Sequence, residues 1–492
     1  MSISVKPFFS LFAAVVLIWG MTSTLFSQDL DVEINIDQKN PNSVIVKGRV
    51  LNDKLGGKNW VFLREFAGEQ QLARRVSDMA LFGVEAEKIP VRKFADGEFV
   101  AERSATTFEY EINLKSSNDS SGTPHVSWMR GSNGQIMLND LLPQFGNSSI
   151  AARVSFKLPN GWRVAQSEQL SDEGYFLVDD VENAVFLVGS EWREVSGKLN
   201  GISIYSLGEW QFEDSEALEM AESIASEYSR LFKNKAPVRS KIFLLPFPGK
   251  TRQGRWQAET RGQNITIMSA SMPFKNQALQ RLHEQLRHEI FHLWIPNRLN
   301  LTGNYAWFYE GFAVYQALKT GVWLGQIRFE DFLSTIGRAH DLHLRSTRDL
   351  PLSGRENMPS NNISASVYSK GMLVAFLTDV AILRNTKGKK SIAGIFRNLP
   401  FKEESDEKPL DGNAFIEKVM VRRPELAQIV QKYIRGQGKI DWGRYLKSIG
   451  VVNQAGSGFA RLRVKSKLTG REKALLKKLG YNRWRKFIKR TK

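Results

Sequence analysis

The chain has 492 residues, 42% hydrophobic and 24% charged, which excludes a disordered polymer and a multi-span membrane protein and is too long for one compact domain. The formal charge is +18, but residues 461–492 hold fourteen Lys or Arg against one acid. The preceding 460 residues therefore carry only +5, and the charge gives no reason to expect a nucleic-acid partner.

There is no cysteine, so disulfides, thiolate ligands and thiol nucleophiles are all removed. Lys6 precedes the apolar run 8–19, FFSLFAAVVLIW, and a polar-leaning MTSTLFSQD follows Gly20. A positive residue, a short apolar stretch and small residues downstream describe a secretory signal over 1–27. The expected location is periplasmic or secreted; an uncleaved segment would instead tether the chain to a membrane.

Residues 28–205 read as a β-sandwich-like N-terminal domain. VEINID, SVIVKGRV, TFEYEINL, AARVSFKL, GYFLVDD, AVFLVGS and GISIYSL are short β-branched or aromatic runs with Gly, Asn, Pro and Ser between them. SSNDSSG (116–122) reads as a polar loop. Over 215–233, Leu218, Ala221, Ile224, Tyr228 and Leu231 recur at helical spacing. KIFLLPF (241–247) and NITIMSA (264–270) read as strands joined by a Gly/Arg-rich stretch. Helices are expected over about 276–294 and 305–319, then a mostly helical region broken by a loop around 346–364. The expected division is a catalytic domain over 206–345, a helical domain over 346–455 and a basic tail over 456–492, making a multidomain α+β protein.

Residues 287–294 read RHEIFHLW, an H-E-x-x-H pattern. On a helix, His288 and His292 stack on one face roughly 6 Å apart, and two imidazoles so placed converge on one Zn²⁺. Glu289 sits beside that face, within reach of a metal-bound water. Leu279, Leu282, Leu286 and Leu293 give the helix an apolar pattern, while His283 lies about 140° round from His288 and reads as a structural or surface residue. A catalytic zinc needs a third ligand, and WFYEGFAVYQA offers Glu310 among aromatic residues, where a lone carboxylate would be costly.

HEIFHLW, WFYEGFAVY and VYSKGMLVAFLTD (367–379) resemble the catalytic blocks of gluzincin aminopeptidases. The resemblance is to the glycyl aminopeptidase family, with the alanyl (membrane) aminopeptidase family as a relative. It implies a thermolysin-like zinc peptidase domain behind an N-terminal β domain, with a helical region following. It also implies zinc ligands at His288, His292 and Glu310, a general base at Glu289, and an oxyanion-stabilising hydroxyl at Tyr368. In these families an upstream acid holds the substrate's amine. Here the stretch GRWQAETRGQ offers only Glu259, with Arg255 and Arg261 competing for it.

The expected function is zinc-dependent hydrolysis of peptide bonds, as an aminopeptidase-like enzyme acting on exported peptides. A zinc endopeptidase and a non-catalytic peptide-binding protein are the alternatives. An extended peptide is expected beside NITIMSA as an edge strand. The tail, with Leu475, Leu476, Leu479, Trp484, Phe487 and Ile488 among many cations, reads either as a solvated basic segment or as a contact with an anionic membrane surface.

Overall fold

The structure, a computed structural model, describes residues 28–115, 122–146, 149–197, 201–233, 239–345, 351–353, 365–402, 408–454 and 460–482. The signal segment 1–27, most of the polar loop, and Trp484, Phe487 and Ile488 lie outside the described residues. No helix among the described residues is long and apolar enough to cross a membrane.

Strict alternation builds the N-terminal domain. Along Leu30–Ile36 every second residue is buried, as along Ser43–Val50, so each strand turns one apolar face inward. Leu30–Ile36 pairs antiparallel with Ser43–Val50 and parallel with Ala152–Lys157 near the middle of an eight-stranded sheet. A four-stranded sheet contains Asn133–Met137 and Val185–Gly189, each buried along its whole length. Side chains of both sheets, such as Val32 and Phe186, share one core.

The next unit is a five-stranded sheet in the order Arg193–Ser196, Ser203–Ser206, Lys241–Pro246, Asn264–Ser269, Trp256–Arg261. Its inner strands run parallel and both edges are antiparallel. Helices Asp214–Leu231 and Lys275–His292 pack together on it, and helices Ala306–Trp323, Phe329–Arg345 and Ala365–Asn385 lie behind.

The structure departs from four of the expectations. GISIYSL does not close the N-terminal domain: Ser203–Ser206 hydrogen-bonds to Lys241–Pro246 inside the second sheet, so that unit begins before residue 206. No boundary in the core falls at 346, because one apolar cluster runs from Ile202 to Leu479 and joins the expected catalytic and helical domains. NITIMSA is not the edge strand; Trp256–Arg261, in the stretch read as a connection, pairs outside it.

The tail is the fourth. Gly470–Lys478 is a helix opened by a capping box between Thr469 and Glu472, and Leu475, Leu476 and Leu479 are at most 1% exposed in that same core. These three leucines belong to neither a solvated segment nor a membrane-facing stripe. Leu476→Ala is therefore expected to lower unfolding stability by about 2–5 kcal/mol in denaturant titrations, whereas a solvated tail would leave the midpoint unmoved.

Candidate active site

Helix Lys275–His292 is filled with Gln, Leu, Arg and Glu, good helix formers, and no Gly or Pro interrupts it. Leu282, Leu286, Ile290 and Phe291 bury one face. The Phe291 ring meets the Tyr228 ring edge-on at 5.6 Å, and the Tyr228 hydroxyl donates to the Arg287 carbonyl. His283, which reads as either structural or surface from sequence, is structural: it is buried against Arg287 with Nδ1 2.7 Å from Nη1. Burial, then the Arg287 charge, pushes it down to about 3, so it stays neutral.

With that face anchored, His288 and His292 bring their Nε2 atoms to 3.1 Å. Glu310 comes from helix Ala306–Trp323, whose Trp307, Phe308, Phe312 and Tyr315 are buried. Its Oε2 lies 3.2 Å from His288 Nε2 and 3.6 Å from His292 Nε2. Four-coordinate zinc with bonds of about 2.0–2.1 Å sets its ligand atoms roughly 3.3 Å apart, which is the size of this triangle. Among the described residues, no other group of three such side chains has its ligand atoms so close together.

The donor set fits a cation chemically as well. Glu310 Oε2 is buried with no aligned hydrogen-bond donor. His292 Nδ1 lies 2.8 Å from the Ile295 carbonyl, which can only accept; Nδ1 therefore carries a proton, and whenever the ring is neutral its Nε2 lone pair points inward. Burial opposes charge on His292, yet the Glu310 carboxylate carries it up to about 9. Burial likewise would raise Glu310, but His292 and His288 hold it well below the usual carboxylate range. The carboxylate demands a positive partner at this spot, either a proton on the imidazole or a metal ion.

Glu289 is 5% exposed and is fixed by the edge strand. Thr260 Oγ1 donates to Glu289 Oε2 at 2.7 Å and lies 3.0 Å from its backbone carbonyl. Thr260 was not foreseen from sequence, because only the strand's alternation turns it toward the helix. Tyr368, on helix Ala365–Asn385, is half-buried beside Glu310. Burial, then the charges of Glu310 and Glu289, raises its hydroxyl above the ordinary phenol range, so it remains a donor. Two glycines permit that approach. A Cβ on Gly311 would meet the Gly371 backbone at 2.5 Å, and one on Gly371 would meet the Trp307 carbonyl at 2.4 Å. The two helix backbones thus touch one residue beyond Glu310 and three beyond Tyr368.

Glu259 faces away from Thr260 on the same strand. Its Oε1 accepts from Arg261 Nε at 2.9 Å, and its Oε2 lies 2.8 Å from His125 Nδ1. Burial opposes charge on His125, but the Glu259 carboxylate raises it, so this second contact is an ion pair when the imidazole is protonated. Burial would raise Glu259, but Arg261 and then His125 bring it down to about 2. Arg261 is locked in turn by the Glu182 and His125 carbonyls at 3.3 Å. Of the two expected competitors, Arg261 pairs with Glu259, while Arg255 lies over the Phe247 ring at 5.1 Å. His125, from the N-terminal domain, was not foreseen.

No family model matches the chain, and no curated protein matches it. Solved structures do. An aminopeptidase N family protein from Idiomarina loihiensis aligns with a TM-score of 0.69 at 15% identity, over 86% of this chain and 79% of its own. An M1 zinc metallopeptidase from Deinococcus radiodurans aligns at 0.53 and 14% identity, over 84% and 95%. A Glu-to-Ala mutant of the M1 zinc metallopeptidase from that organism, bound to a Tyr-Ser-Ala substrate, aligns at 0.54 and 15% identity over the same shares. The chain therefore has the multidomain fold of these proteins.

Gly371→Ala is expected to cost about 1–3 kcal/mol of stability by forcing the Glu310 and Tyr368 helices apart. Gly470→Ala, where a Cβ meets nothing within 4 Å, is expected to be near neutral in the same denaturant titration.

Proposed function

We propose that the protein is a zinc-dependent peptidase in which His288, His292 and Glu310 hold the metal. The observation that carries this reading is the 3.1–3.6 Å triangle of two imidazole nitrogens and a buried carboxylate oxygen, with Glu289 fixed beside it. The similar structures named zinc metallopeptidases, one of them with a bound peptide, support zinc and a peptide substrate for this chain.

When bound, zinc supplies a Lewis acid that polarises a carbonyl and renders water acidic enough to react near neutral pH. Glu289 takes the proton of the attacking water, with Thr260 fixing Oε2 and leaving Oε1 to receive it. As the carbonyl oxygen gains negative charge, the Tyr368 hydroxyl donates to it. Glu289 then returns the proton to the leaving nitrogen. The edge strand Trp256–Arg261 has no strand partner on its outer side among the described residues, and an extended peptide adds there. The substrates proposed are exported peptides, following the signal-like segment 1–27.

An aminopeptidase is the first reading of specificity, with Glu259 as the acid nearest the site on the edge strand. One observation favours a second. Glu259 already faces two basic side chains, Arg261 and His125, so it offers a free ammonium little net attraction. That pairing suits cleavage that does not depend on a free amine. Rates on matched free and N-acetylated peptides decide between the two: an aminopeptidase loses the acetylated set, and an endopeptidase cuts both.

Glu289→Gln is expected to retain one zinc by elemental analysis and to lose about 10²–10⁴-fold in kcat; full turnover would remove the mechanism. Tyr368→Phe should lose about 10²–10³-fold with metal retained. Thr260→Val should lower kcat by about 10–100-fold while the metal stays, as expected for a group that orients another. Glu310→Ala should abolish the rise in Tm that added zinc gives the metal-stripped wild type.

A further inference from the structure

Gln285 lies one helical turn before Glu289, on the same face of helix Lys275–His292. It is 1% exposed, and neither its amide nitrogen nor its amide oxygen has a hydrogen-bond partner. A buried primary amide left with donors and acceptor unmet is costly, and nothing in the catalytic reading uses it. The side chain lines a narrow opening between this helix and the sheet. The remaining walls are largely apolar: Trp210, Phe212, Leu244, Trp256, Ile267 and Leu282. Trp210 and Phe212 stack 6° from parallel at 5.9 Å, and Glu209 and Arg281 stand among the lining residues.

The position ties this opening to the site. Trp256 begins the edge strand whose Thr260 holds Glu289, four residues or about 13 Å away. Gln285 is about 6 Å from Glu289 along the helix. The strand's other end is closed by Arg261 and Glu259 with His125 of the N-terminal domain. A peptide lying along the edge strand therefore has its open direction toward Trp256.

We propose that this opening is a side-chain specificity pocket for a residue two to four positions from the cleaved bond. Its occupant is a flat, mostly apolar side chain whose polar end, a phenol or a carboxamide, bonds to Gln285. Apolar walls and two indoles suit the flat body of such a group, and the unpartnered amide suits its tip. This inference rests on the peptidase reading above, and its test has one arm that does not.

The first arm profiles a peptide library with wild type and Gln285→Met. Wild type should favour Tyr or Gln over Leu at one position within that window, and Gln285→Met should shift the ratio at least tenfold toward Leu or Met there alone. Identical profiles would overturn the pocket. The second arm needs no turnover: N-acetyltyrosinamide is titrated into the full-length Glu289→Gln protein while tryptophan fluorescence is read. Saturable quenching should weaken at least tenfold on adding Gln285→Met, or Trp210→Ala should the first variant misfold. Absent quenching, or quenching that both changes leave intact, would refute it. A wild type that cuts no peptide yet binds the probe through Gln285 would sink the peptidase reading and leave the pocket standing.

Discussion

Two imidazole nitrogens and a carboxylate oxygen cannot share a few ångströms of largely dry space without a positive charge among them. Burial makes the Glu310 carboxylate costly, and the site meets that cost by pressing His292 and His288 against it. The surroundings serve this constraint. Phe291 and Tyr228 fix one helix, and the aromatic residues around Glu310 fix the other. Gly311 and Gly371 then let the Tyr368 helix close on the second. The geometry of the site is set by how closely backbones approach, and small residues at that contact decide it.

The site was legible where its determinants are local. H-E-x-x-H is a spacing on one helix, and a helix fixes the relation of His288 to His292 without help from the rest of the chain. Glu310 was legible because an acid among Trp, Phe and Tyr needs a partner. Tyr368 was reached through resemblance, since nothing in its own neighbours distinguishes a donor from a core tyrosine. Thr260 and His125 were not legible. Each contacts its partner across 29 and 134 positions of sequence, and no local pattern carries such a contact.

The fold shows the same division. Strands with one buried face announced themselves by alternation, as in Ser43–Val50. Trp256–Arg261 did not: it is polar, half-buried along most of its length and lies at a sheet edge, so its composition resembles a loop. The tail misled for the opposite reason. Its cations dominate the composition, while three leucines on one side of a short helix decide where it sits. Charge describes what a segment shows to water, and burial depends on the few residues it hides.

The late position of those leucines bears on how the chain folds. Leu475, Leu476 and Leu479 fill a cluster that also holds Ile202, Ile242 and Phe376, so the principal core draws on residues more than 270 positions apart. A ribosome releases the N-terminal sheets long before that cluster is complete. Until helix Gly470–Lys478 emerges, apolar surface meant for it stays uncovered. The nascent chain must therefore wait for residues 475–479 before its larger core can close.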